Sequence, residues 1–105
     1  MPVGKYDGPM PRKPRVGVAT LREIPNIGPR TEGDLIRIGI TLPRQLVGKD
    51  GIELYRKVCR VDGVRHDPCV ADVFLAAVDY MEGAPRRDWW WYTQRRKKLM
   101  PETRR

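Results

Sequence analysis

The clearest hydrophobic periodicity in the chain lies between residues 67 and 81. Val70, Val73, Phe74, Ala77, Val78 and Met81 follow i, i+3, i+4, i+7, i+8 and i+11 spacing, which predicts one apolar stripe along an α-helix. Asp67 suits the N-cap, and Pro68 suits the first helical position, where its missing N–H costs nothing. Asp72 and Asp79 fall off that stripe, and Gly83-Ala84-Pro85 ends the helix, the expected main strut of the core. Upstream, Asp50 and Glu53 have capping-box spacing and introduce a helix with Leu54, Tyr55, Val58 and Cys59 on its apolar face. Asp62-Gly63 marks a turn. Thr41 to Val47, with Pro43 early and Leu42, Leu46 and Val47 as anchors, predicts a shorter helix broken by Gly48.

Residues 20–42 predict two short helices joined by a tight hairpin. Thr20 and Glu23 have capping-box spacing, so a helix is expected from Leu21, with Leu21 and Ile24 on one face. Pro25 limits it, because the residue before a proline is pushed out of the helical region. Asn26 tolerates left-handed angles, Gly28 adopts them freely, and Ile27 between them can point into a core. Pro29 suits the start of a second helix carrying Thr31, Leu35 and Ile38 and stopping near Gly39.

The string Asn26-Ile27-Gly28-Pro29-Arg30 resembles the helix–hairpin–helix family, whose usual hairpin is glycine, apolar residue, glycine. The resemblance implies contact with a nucleic-acid backbone. Amides of Asn26, Ile27 and Gly28 and the positive end of the second helix would face a phosphate, with Arg30 beside them and Arg22 and Arg37 flanking. Asn26 replaces the family's first glycine, and Glu32 stands where a small alanine is usual. A buried lone carboxylate is costly, so Glu32 either faces solvent or the pair crosses differently. The hairpin is followed by GIELYRKVC, GVRHDPCVADVF and a tryptophan cluster. That order, over roughly residues 20–92, is similar to the small bacterial "pathogenicity locus" family, also labelled mitomycin-resistance-like. The first half more distantly resembles the C-terminal domain of TfoX-type competence regulators. These likenesses imply DNA binding and no established reaction.

Composition alters this picture in one respect. The 105 residues carry a net charge of +8 with 40% apolar and 32% charged side chains. Residues 1–17 hold +3 and residues 95–105 hold +5, whereas residues 18–94 hold 11 basic and 11 acidic groups. The excess therefore lies at the ends, which are expected to give salt-sensitive attraction to a polyanion without specificity. Four prolines and three glycines in residues 1–17 predict an unstructured basic arm, either tracking DNA or only solubilising; residues 95–105 are expected as a basic tail. No apolar run is long enough to cross a bilayer and the start lacks a secretion signal, so a cytoplasmic protein with reduced thiols is expected.

Candidate chemistry is sparse. Cys59, His66 and Cys69 are the only soft-ligand set, and their spacing matches no standard zinc site. Cys69 falls in the first turn of a helix, where amides lower a thiol's pKa, which leaves a nucleophilic cysteine open beside a small buried one. Trp89, Trp90 and Trp91 are consecutive and cannot share one helical face. They can close the core or, beside the basic run 95–98, stack unpaired bases; core closure is the expectation. No phosphate-binding glycine loop or dinucleotide fingerprint is present. The expectation is therefore an all-α, SAM-like bundle of about five helices over residues 18–94, with one helix–hairpin–helix and a degenerate second between Pro43 and Val58. Its expected role is non-enzymatic, cofactor-free, sequence-independent DNA binding, with a protein-docking adaptor as the alternative.

Overall fold

The capping signals mark where elements start, though two of those elements are single 3-10 turns rather than helices. The computed structural model describes residues 13–103, in which Pro29–Arg37 (α1), Gly51–Asp62 (α2), Cys69–Met81 (α3) and Thr93–Leu99 (α4) are α-helices. Short 3-10 turns lie at Leu21–Glu23, Pro43–Leu46, Trp89–Tyr92 and Pro101–Thr103. The described residues contain no strand, so the class is all-α, with four helices rather than about five. Residues 1–12 and 104–105 of the expected arm and tail lie outside the described residues.

The expected first helix is reduced to Leu21–Glu23. Only three residues separate the Thr20 cap from Ile24, which Pro25 holds extended at φ −76°, ψ 133°. The other starts follow the caps. Asp50 accepts the Ile52 amide at 2.9 Å ahead of α2, and Asp67 accepts the Cys69 amide at 2.9 Å ahead of α3. Gly63 closes α2 in the left-handed region at φ 67°.

α3 is the hub, but it is not one-sided. Residues 71–79 are all buried, Asp72 and Asp79 included. The reason is that the chain after α3 folds back over the face that lies off the apolar stripe. Arg96 Nε donates to Asp72 at 2.9 Å, Thr93 Oγ1 donates to its other oxygen at 2.8 Å, and Arg95 reaches Asp79 at 2.8 Å. Arg96 is itself buried and also binds the Thr103 carbonyl and hydroxyl at 3.0 and 2.9 Å. Met100 and Tyr92 complete this side of the core, each 1% exposed. The boundary expected at residue 94 is thus absent, and residues 95–103 are part of the body.

The other end behaves similarly. Arg15, expected in the arm, caps the last turn of α3. Its amide donates to the Met81 carbonyl at 2.7 Å, and its guanidinium binds the carbonyls of Tyr80 (2.9 Å) and Ala84 (2.7 Å) while lying 3.9 Å from the Tyr80 ring centre. Cations at a helix C-terminus satisfy its orphan carbonyls. Three of the basic end charges thus have internal partners.

α2 crosses α3 at backbone contact. A Cβ on Gly51 would lie 2.8–3.0 Å from backbone atoms of Phe74 and Leu75, closer than any real side chain tolerates. The tryptophans do not close the core as expected. Trp90 and Trp91 are 60% and 57% exposed; Trp89 is partly buried against the core, and the sealing aromatic is Tyr92.

Candidate nucleic-acid interface

Asn26 adopts φ 73°, the left-handed region its short polar side chain tolerates. Its amide group donates to the Arg87 carbonyl at 2.9 Å, tying the loop to the segment after α3. Ile27 is buried and its N–H donates to the Ile24 carbonyl at 3.2 Å. Gly28 differs from expectation: φ −100°, ψ −171° is extended backbone open to any residue. A Cβ there would meet nothing within 4 Å. Glycine at this position relieves no internal crowding; it leaves the ground ahead of α1 bare. The first helical bond runs from the Glu32 amide to the Gly28 carbonyl at 2.9 Å. The amides of Arg30 and Thr31 precede that ladder, and among the described residues no side chain caps them. Arg30 is exposed and makes no ion pair among the described residues.

The flanking arginines have different surroundings. Arg22 lies 3.8 Å from Glu32, with half its side chain exposed. Glu32 therefore neither packs in the core nor caps the loop; it pairs loosely across the hairpin. A surface pair this long holds weakly. Arg37 forks onto Asp62 at 3.0 and 2.8 Å and also binds the buried Asp34. Those two carboxylates raise the Arg37 pKa further. Arg37, with His66 at 2.6 Å assisting, holds the Asp62 carboxyl below its usual range. Arg37 thus sits in a clamp between α1 and the end of α2, its guanidinium engaged by two carboxylates.

The same turn–loop–helix arrangement recurs 22 residues further on, with Gly48 (φ 83°) at the place of Asn26 and Asp50 at the place of Gly28. Glu23 and Gln45 correspond too: Glu23 accepts the Ala19 amide at 3.1 Å, and Gln45 accepts those of Thr41 and Leu42 at 2.7 and 2.8 Å. In this second unit, however, acidic side chains occupy the amides. The buried Glu82 carboxylate accepts the Gly48 N–H at 2.7 Å, and Asp50 accepts the Ile52 N–H. Its helix start is pressed against α3.

Cys59, His66 and Cys69 do not converge. Cys59 Sγ accepts the His66 amide at 3.4 Å, and the His66 ring turns to Asp62. No three histidine, cysteine, aspartate or glutamate groups among the described residues could hold a metal ion. The expected low pKa of Cys69 is reversed: burial, with the Asp67 charge beside it, pushes the thiol up to about 11. The amide that would favour a thiolate is taken by Asp67, whose own carboxyl is lowered by that bond.

Sequence reasoning missed Glu82 and Arg87, because each reaches its hairpin from across the fold. Among local signals, only Asp50 before a helix foreshadowed that the second unit caps itself.

An all-helical domain with two turn–loop–helix units, one with bare helix-start amides, defines the class. The chain belongs to the pathogenicity-locus family (Cdd1), whose model matches residues 14–98. It is also 42% identical over 80 residues, 76% of each chain, to "Mitomycin resistance protein McrB" of Streptomyces lavendulae. No solved structure is significantly similar to it.

Proposed function

We propose that this is a cytoplasmic, non-enzymatic DNA-binding module in which the first hairpin grips a backbone phosphate without reading sequence. One observation carries the reading: among the described residues no side chain caps the start of α1, Gly28 adds no Cβ there and Arg30 beside it is exposed, whereas the matching amides ahead of α2 are occupied by the protein's own acids. An anion at a helix start gains from aligned amides and the helix dipole. Asn26, Ile27 and Gly28 shape the loop, Arg30 supplies the charged donor, and Arg22 is near enough to swing from Glu32. Arg37 enters only as the clamp that holds α1 in place. By likeness to the relative named for mitomycin resistance, the proposal extends to a part in tolerating that drug.

Gly28→Asp tests it. Aspartate is a good N-cap, so it should leave stability unchanged or slightly raised while placing a carboxylate on the amides. Duplex affinity, titrated at several salt concentrations, should fall at least tenfold, and Arg30→Ala should flatten the log K against log salt slope by about 0.9. Unchanged affinity in both variants would remove the hairpin from the interface. Trp90 and Trp91, each more than half exposed, support a second reading, a protein-docking face. That reading predicts duplex affinity indifferent to Gly28→Asp.

A further inference from the structure

A second feature lies at Asp67, whose carboxyl Arg96 of α4 and Arg30 of α1 both favour as the anion. Here the start of α3, the Trp89–Tyr92 turn and α4 enclose a groove of about 680 Å³ with Trp89 and Trp90 on its lining. The two indoles stand 5.7 Å apart at 82°, one a floor and the other a wall at right angles. Trp90 remains 60% exposed, although indoles are the side chains most favoured by burial.

The charges around the groove do not cancel. Of the two carboxylates on its lining, Asp67 accepts the Cys69 amide and keeps its charge, and Glu102 lies 3.4 Å from Arg56, so the three lining cations outnumber the lining acids by one. The lining cation Arg96 is taken by Asp72. Arg65 and Lys97 remain on the lining without an ion pair among the described residues, although Arg65 is near enough to Glu102 to help hold that carboxyl ionised. An aromatic corner beside two unpaired cations matches a flat ring carried on an anionic backbone. It does not match an acidic peptide, which has no use for the indoles, or a lipid tail, which has no use for the right-angled corner.

We propose that this groove holds an unpaired base of a single-stranded or locally opened nucleic acid, stacked on Trp90 against Trp89, with Arg65 and Lys97 on the adjoining phosphates. Every base offers a π-face, so the site tolerates any sequence, and cationic side chains follow the backbone. The assignment does not depend on the hairpin: it concerns bases, whereas the hairpin faces phosphates alone.

The test compares an eight-residue oligothymidylate with an abasic oligomer of the same length, by tryptophan fluorescence in the full chain. The thymine oligomer should quench the indoles and bind at least about fivefold tighter than the abasic one. Trp90→Ala should bring that ratio to near one, while Gly28→Asp leaves it unchanged even if it weakens both oligomers. Lys97→Glu should weaken both and reduce the salt dependence, by about 0.7 for one lost single-strand contact. Thermal melts of each variant establish that it folds, which the exposure of Trp90 and the partial exposure of Lys97 favour. Equal binding of the two oligomers by the unaltered chain, or a ratio that survives Trp90→Ala, would overturn the assignment. Loss of duplex binding in Gly28→Asp with the base ratio intact would separate the two sites.

Discussion

The two turn–loop–helix units share a backbone plan but have opposite surroundings. Each begins with a 3-10 turn, passes through one left-handed residue and enters a helix from an extended cap. In the first unit that cap is Gly28, where an added Cβ would meet none of the described residues within 4 Å. In the second it is Asp50; Glu82 closes the loop, and Gly51 lies against the backbone of α3. A helix start has the same orphan amides wherever it occurs. Burial demands that the protein satisfy them, and exposure lets it leave them for water or a ligand. The second unit has become part of the core; the first has stayed a surface.

Adding one methyl group to each unit should separate them most sharply. Gly51→Ala drives a Cβ into the α3 backbone, which cannot turn aside as a side chain can. Overpacking of this kind costs about 1–3 kcal/mol, so urea or thermal unfolding should register a clear loss. Gly28→Ala adds the same methyl in open space at a permitted φ, and should cost less than about 1 kcal/mol, the penalty of alanine for glycine at a helix cap. Equal losses at the two positions would mean that the first unit is packed as tightly as the second.

Glu82→Ala removes the acid that closes the second loop. A hydrogen bond to a charged group contributes roughly 1.5–3 kcal/mol, and a loss in that range is expected in denaturant unfolding. If the variant is as stable as the parent, the Gly48 amide is satisfied by water and the contrast between the units disappears.

The sequence made some of this legible and concealed the rest for one physical reason. α2 and α3 could be drawn because Asp50, Asp67 and the apolar spacing act within a few residues. Asn26 was readable for the same reason, since tolerance of left-handed angles belongs to the residue itself. The need for Gly51 is set by Phe74 and Leu75, and no local pattern announces it. Arg95 and Arg96 look like a tail until Asp79 and Asp72, 16 and 24 residues earlier, are seen facing them. Arg15 is further still, 65 and 69 residues from the carbonyls it binds. Charge counting assigned all three to diffuse attraction because it has no access to partners. In the candidate site, the residue types of the loop were evident, whereas the clamp on Arg37 and the extended angles of Gly28 were not.

Asn26 itself divides into two contributions. Its left-handed angle costs a residue such as alanine roughly 1–2 kcal/mol, and its side chain adds the bond to the Arg87 carbonyl. Asn26→Gly keeps the angle and loses the bond; Asn26→Ala loses both. Alanine should therefore be the less stable by about 1 kcal/mol, measured by thermal melting. If glycine is as damaging, the tether to Arg87 rather than the turn holds the first unit in place.

The smallest expected effect is a pH dependence at the joint between the units, where Arg37 of α1 meets Asp62 of α2. The folded chain depresses the Asp62 carboxyl, chiefly through Arg37 and then His66. A depressed carboxyl binds fewer protons folded than unfolded, so its contribution is complete above the unfolded value of about 3.9 and is lost as pH falls through the lower folded value. Acid should therefore loosen α1 from α2 below about pH 4, with little change between pH 5 and 8 from this source. Arg37 is exposed and Asp62 only partly covered, so screening keeps the effect small. Arg37→Met removes the cause: its stability should decline less steeply than the parent's between pH 5 and 3. Parallel slopes would mean that the clamp carries no free energy, and that α1 is held to the body by Leu35 and Ile38 alone.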